Sequence, residues 1–138
     1  MSLQETRTKL VTEMVNGIKL ADPTVAVVGD NHPYPQPINK PWIHVGFVPG
    51  RRYRTNIGTD PRWRQIGLLN VNVMVPNETG TDSCYALVDT VVDVLADKSY
   101  SLPGGGVVRM YSADIQPRGI LNGYYTVSVK IEFNKDTA

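Results

Sequence analysis

The chain has 138 residues and a mass of 15.3 kDa, which predicts one domain. Hydrophobic residues make up 41% and charged residues 20%, a balance that excludes a disordered chain as the default. The net charge of +1 argues against a protein that coats nucleic acid, and no apolar run reaches the roughly 18 residues that span a bilayer. The single cysteine, Cys84, excludes an internal disulfide and fits a reducing compartment. Because the first residues also lack a signal-peptide pattern, we expect a cytosolic domain with no membrane partner.

The first predicted elements are a helix, a short apolar run and an extended arm. Residues 3–20 place Leu10 and Met14 on one face of an amphipathic helix. The run 25–28 is either a strand or a packed connector. Residues 31–41 hold four of the ten prolines, which predicts an extended, polyproline-like arm or linker.

Two predicted strands flank a polar segment. Residues 42–48 predict a strand that ends at Pro49 and Gly50. Residues 66–75 predict the next strand, since apolar residues occupy every second position. Between them, residues 50–64 are predicted to form a long loop, and such loops are more often functional than decorative.

A second helix follows the central strands. It is capped by Thr81 or Asp82, runs to about Ala96 and buries an apolar side that includes Cys84. A Gly-rich joint at 102–106 follows it.

The last predicted elements are two strands, at 107–116 and 121–133, around a turn at 117–119. Strict alternation in the final strand predicts one buried and one wet face. The element order predicts one α+β domain over residues 1–138: a mixed, mainly antiparallel sheet of about four to five strands with two helices packed on one face.

Catalytic and metal-binding patterns are absent from the sequence. His32 and His44 are twelve residues apart, with no cysteine or carboxylate at ligand spacing. Cys84 is most simply a small core residue, and the glycines of the joint lack the lysine of a phosphate loop. We therefore predict a protein that is not an enzyme and has no catalytic residue, metal or cofactor.

Positive charge is concentrated in the predicted loop at 50–64. Five arginines against one aspartate give this segment +4, whereas residues 65–138 carry −3. Arginine suits bidentate contacts with phosphate or carboxylate, and two aromatic rings offer stacking surfaces. The candidate contact residues are Arg51, Arg52, Tyr53, Arg54, Arg62, Trp63 and Arg64. The alternative is a solvated loop with no partner.

The second helix carries the opposite charge. Its candidate acidic stripe is Asp82, Asp89, Asp93 and Asp97. Carboxylates at this spacing repel one another and, near the C-terminal end, oppose the helix dipole. One interpretation is a solvated face. The other is that the stripe meets the arginines of a neighbouring copy, in a head-to-tail contact that closes into a ring.

The order of these segments resembles the tail terminator proteins of long-tailed bacteriophages. A helix of about twenty residues precedes the strand Trp42–Val48, and an arginine-rich loop leads into the segment Arg64–Pro76. The helix Cys84–Leu95, a Gly-rich joint and two long strands then follow, so that the resemblance runs from Leu3 to Phe133.

The resemblance implies a structural role in the virion. Such proteins form rings, typically hexamers, at the head-proximal end of the tail, and are assembled in the bacterial cytoplasm. They cap the tail tube protein, stop its polymerisation and present a surface to head-completion proteins, while double-stranded DNA passes through the ring. The arginines would then line the lumen or contact a neighbouring subunit or the tube. The alternatives are a head-completion or neck protein, and a small nucleic-acid-binding module whose binding falls steeply with salt.

Overall fold

The computed structural model describes residues 3–21, 25–29, 40–59, 62–76, 82–104, 106–121 and 123–136. Most of the predicted proline-rich arm, together with His32 and the capping candidate Thr81, lies outside these ranges. The elements in chain order are α1 (Leu3–Ala21), β1 (Ala26–Gly29), β2 (Trp42–Arg54), β3 (Trp63–Pro76), α2 (Asp82–Leu95), β4 (Ser99–Ser101), β5 (Val107–Leu121) and β6 (Tyr124–Asp136).

The strands form one curled, mixed sheet in the order β1-β2-β3-β6-β5-β4. Only β1 and β2 are parallel, and the other neighbours are antiparallel. The α+β prediction is therefore confirmed, but the strand count of four to five is wrong, because the described residues form a sheet of six strands. Strand β4 has only three residues, two of them serines, which is too few for an alternating signal. The apolar run that becomes β1 is compatible with either a strand or a packed connector.

The core lies between the sheet and the two helices. Cross-strand rows bring apolar residues side by side, as in the row Ile43, Val73 and Val127. Leu10 of α1 and Val91 of α2 belong to the same buried cluster, so both helices cover the same face. This contiguous apolar face supplies the main driving force for folding.

The face of β6 that is turned away from the helices is exposed to solvent only in part. Glu132 is exposed, but Thr126 and Ser128 are 3% and 2% exposed. The Ser128 hydroxyl donates to Asn72 Oδ1 at 2.6 Å and accepts from Arg118 Nε at 3.2 Å. The prediction of a fully wet face is therefore wrong in the middle of the sheet, where this polar network satisfies the buried hydroxyl.

The arginine-rich segment is not one long loop, and this corrects the predicted boundaries. Strand β2 continues through Pro49 and Gly50 to Arg54, and β3 already begins at Trp63. One extra residue in β2 forms a bulge between Pro49 and Arg52. Proline is tolerated there because β1 pairs only with Trp42–Val45, which leaves this half of β2 at the edge of the sheet.

The predicted turn at 117–119 is also wrong, because this proline too lies in an edge segment through which the strand continues. Strand β5 continues to Leu121, and the register shift between Pro117 and Gly119 is a second bulge in an edge segment, since β4 covers only the first residues of β5. The reversal lies between the end of β5 at Leu121 and the start of β6 at Tyr124, and Gly123 has a φ of +81°. An Asn-Gly pair is a strong signal for a two-residue hairpin turn.

Close approach of the two helices depends on Gly17 in α1. A Cβ atom at this position would lie 2.4 Å from Val94 Cγ2 of α2. We predict that Gly17→Ala destabilises the fold by about 1–3 kcal/mol through overpacking, although alanine is the better helix former. Chemical denaturation of Gly17→Ala, Val94→Ala and the double variant measures this. The double variant should recover part of the loss, and a more stable Gly17→Ala protein would contradict the packing argument.

A candidate assembly site on the arginine-rich hairpin

Strands β2 and β3 form a hairpin whose tip projects beyond the sheet. Tyr53 pairs with Arg64, and Arg64 in turn pairs with Asp136, the last described residue of β6. The next pair outward, Arg54 with Trp63, and the described residues that follow Arg54 and precede Trp63 lie past that end of β6. The outer part of the hairpin is therefore a projection that carries Arg54 and Arg62, while Arg51, Arg52 and Arg64 lie nearer its base.

A buried amide fixes the base of the hairpin at the bulge. Gln65 is 3% exposed, and its Nε2 donates to the carbonyl oxygens of Gly50 at 2.9 Å and Ile66 at 2.7 Å. Arg52 Nε donates to Gln65 Oε1 at 3.3 Å. These bonds satisfy the buried amide and bind the irregular part of β2 to β3.

Arg64 holds the hairpin to the end of the last strand. Its Nε lies 2.7 Å from Asp136 Oδ1 and its Nη2 lies 2.9 Å from Oδ2, a bidentate ion pair. The hydrogen bonds from Arg64 hold the pKa of the Asp136 carboxyl below its ordinary value, and the same partner, assisted by Tyr53, raises the pKa of the guanidinium. This arginine is therefore a positioning residue for the hairpin rather than a free cation.

The tip is organised by its own polar contacts. The Thr55 N–H donates to the Arg62 carbonyl oxygen at 2.9 Å, and the Arg62 N–H donates to Asn56 Oδ1 at 2.8 Å. Arg54 Nη2 donates to the carbonyl oxygen of Gly58. Ile57 is fully exposed in the middle of this ordered segment.

The structure brings all seven predicted contact residues onto this one hairpin. The arginines with exposed side chains are Arg51, Arg52, Arg54 and Arg62. The Arg51 guanidinium lies 5.8 Å from the centre of the half-buried Tyr53 ring, and Trp63 is 39% exposed. Sequence reasoning missed Gln65 and Asp136, since their roles depend on strand register, and it missed Ile57, whose full exposure no pattern indicates.

The acidic residues lie on a separate surface. Asp82, Asp89 and Asp93 are exposed on α2, and their spacings of seven and four place them on one side of the helix. Asp97 does not continue this stripe, because the helix ends at Leu95 and Asp97 adopts a φ of +55° in the following turn. Its carboxylate accepts a hydrogen bond from Ser112 Oγ at 3.2 Å.

The described residues contain no group of three side chains able to hold a metal ion. Cys84 is completely buried, as predicted for a core residue, and burial raises the pKa of its thiol to about 11. His44 lies in β2, as expected for a residue of the sheet. Within the described ranges, neither helix is long and apolar enough to cross a bilayer.

Comparison with known proteins decides the family. The sequence family described as "Phage tail terminator protein" matches residues 8–133. The chain belongs to this family. Its resemblance to tail terminators is thereby confirmed over most of its length, and a structural role in a phage tail and virion follows.

Two solved structures share the fold of this family member. One aligns over 100% of this chain and 98% of its own, with 18% identity and a TM-score of 0.79. The other belongs to the virion of a native gene transfer agent particle and aligns over 92% of both chains, with 13% identity and a TM-score of 0.58. No curated protein matches the sequence.

We predict that the Arg64–Asp136 pair gives the fold an acid-dependent stability. Because the pKa of Asp136 is lowered in the folded state, its contribution is present at neutral pH and is lost as the pH falls below about 4. Asp136→Asn should therefore lower the Tm at pH 7, and the difference from the wild type should shrink in acid. Thermal unfolding against pH measures this, with the exposed carboxylate variant Asp114→Asn as the control. A constant difference at all pH values would contradict the assignment.

Cys84 should be unreactive in the native protein. Its thiol is buried and is protonated at pH 8, so a maleimide should modify it only after denaturant unfolds the chain. Mass spectrometry of native and denatured samples measures this. Rapid labelling of the native protein would show that α2 opens readily.

Proposed function

We propose that the protein is a ring-forming tail terminator, a hexamer that caps the tail tube at the head-proximal end of the virion. It stops polymerisation of the tube protein, offers its other side to a head-completion protein and lets double-stranded DNA pass through its centre. Its role is structural, without catalysis or a cofactor. Membership of the tail terminator family and the fold shared with a gene transfer agent virion support this proposal.

The observation that carries the ring is a pair of complementary surfaces at different places on one protomer. The arginine-rich hairpin is an ordered projection, and the aspartates of α2 are exposed. Trp63 starts β3 at the hairpin, whereas α2 begins beyond the far end of β3. The thirteen residues from Trp63 to Val75 span roughly 40 Å, so the tip lies far from Asp82 at the start of α2 in its own copy.

Surfaces arranged in this way join different copies. A head-to-tail contact between two unlike patches repeats from one copy to the next, and it closes into a ring when the rotation permits. The hairpin of each copy would then contact the acidic side of α2 in its neighbour. The modest net charge of +1 suits a conduit through which DNA moves without tight binding.

The first experiment is the absolute mass of the purified protein in low and moderate salt, by light scattering after size exclusion. We expect a closed oligomer near six times 15.3 kDa that loosens as salt screens the contacts. A monomer at every concentration and salt would contradict a ring that forms without the tail tube. In the phage, loss of the gene should give tail tubes without a defined end, and wild-type protein should restore them.

Charge reversal on α2 tests the contact. Asp89→Lys with Asp93→Lys should weaken assembly about tenfold or more, because it replaces attraction to the hairpin by repulsion. Added Arg54→Glu and Arg62→Glu changes should restore part of the assembly. The matched control is Asp114→Lys with Glu132→Lys, which makes the same charge change on the sheet face away from the helices. Assembly unaffected by the α2 reversal, or weakened equally by the control, would contradict the contact.

A further inference from the structure

Two of the exposed apolar features of the described residues lie far apart, one at the tip of the hairpin and one on β5. The first is Ile57, fully exposed in the tip of the hairpin. The second is a surface that we call the β5 patch, formed by Tyr85, Ile115 and Ile120, which are 37%, 43% and 59% exposed.

The register of β5 and β6 places Ile115 and Ile120 on the same face of β5, with Tyr85 of α2 beside the Ile120 end. Ile120 is opposite Tyr125, whose hydroxyl lies 3.4 Å from that of Tyr85 on α2. Ile115 is opposite Val129, so it projects from the same, helix-covered face of the sheet. Because α2 packs over β3 and β6, this part of β5 extends beyond the cover of the helix. The result is a shallow apolar surface beside α2.

Both apolar features have charged neighbours: the tip has basic ones and the β5 patch has acidic ones. Arg54 and Arg62 flank the tip on either side of Ile57. Asp82 precedes Tyr85 by three residues and Asp89 follows it by four, so both exposed carboxylates lie on neighbouring turns beside the β5 patch. The exposed Ile57 side chain is thus flanked by two arginines, and the β5 patch is flanked by two aspartates.

We propose that Ile57 of one copy packs on the β5 patch of the next copy, with Arg54 and Arg62 beside Asp82 and Asp89. This contact rests on the ring proposed above and gives it an apolar component. Since Tyr125 pairs with Val75 at the far end of β3, the distance of roughly 40 Å excludes contact within one copy. Salt screens the surrounding charges but leaves apolar burial intact. The apolar contact therefore keeps the tip in position when salt weakens the ion pairs.

Matched serine variants test the contact. Ile57→Ser and Ile120→Ser should each weaken ring assembly about tenfold or more, whereas Leu20→Ser and Leu121→Ser should change it less than about twofold. Leu20 is 89% exposed at the end of α1, and Leu121 is 50% exposed but projects from the opposite face of β5 to Ile120. All four positions are exposed, and circular dichroism and thermal unfolding verify that each variant folds.

Cross-linking between copies gives a second readout. Copies with Ile57→Cys are mixed with copies with Ile120→Cys and treated with a short bis-maleimide, while the native Cys84 stays buried. We expect a covalent dimer from this mixture and little from Ile57→Cys mixed with Leu121→Cys.

The outcomes separate this inference from the proposed function. A wild-type ring that survives Ile57→Ser, with no preferred cross-link, would overturn the tip contact and leave the ring intact. A wild-type protein that stays monomeric at every concentration would overturn the self-assembled ring and the contact with it.

Discussion

The pairing of β3 with β6 is the frame on which the rest of this protein depends. These two strands run antiparallel through thirteen consecutive pairs, from Arg64 with Asp136 to Pro76 with Tyr124, without a shift in register. From Leu69 with Ile131 to Val75 with Tyr125, each apolar side chain on their helix-covered face therefore lies opposite another. A slip by one residue would turn this set towards solvent. Both outer neighbours, β2 and β5, contain bulges, so irregularity is confined to the flanks of this central pair.

The same frame positions both ends of the candidate assembly surfaces. At one end it places Asp136 against Arg64, beside the base of the hairpin. At the other end it places Tyr125 beside Tyr85 of α2. The separation of the hairpin tip from Asp82, at the start of α2, is therefore a direct result of the length of an uninterrupted strand pair. The chain thus has the arginine-rich hairpin at one end and Asp82 at the other, an arrangement that suits the head-to-tail contact proposed above.

The sequence predicts the centre of this fold well and its edges poorly. Alternation over 66–75 and 121–133 is a direct signal of half-buried strands, and helical spacing identifies α1 and α2. Pro49 and Pro117 were interpreted as breaks, because proline cannot donate to a ladder. Both lie in edge segments, where no neighbouring strand needs that donor, and the strands continue through bulges. Which strands lie at the edge is a property of the whole sheet, and no local pattern contains it.

The candidate site is likewise predicted from the sequence only in part. Composition alone identifies the arginine-rich segment, since five arginines in fifteen residues stand out in a chain of nearly neutral charge. It does not distinguish Arg64, which is paired, from Arg62, which is exposed, because the partner Asp136 is 72 residues away. Helical spacing likewise extended the acidic stripe to Asp97, but the helix ends two residues earlier and the chain turns into a left-handed conformation.

The bulge at Pro49 and Gly50 divides β2 into two registers within one strand. Before the bulge, the core dictates which side chains face inwards; after it, hydrogen bonds of the buried Gln65 amide hold β2 to β3. Residues can therefore be gained or lost in matched pairs beyond this point while every core side chain keeps its place. The hairpin is in this sense a module whose length can change without disturbing the scaffold that carries it.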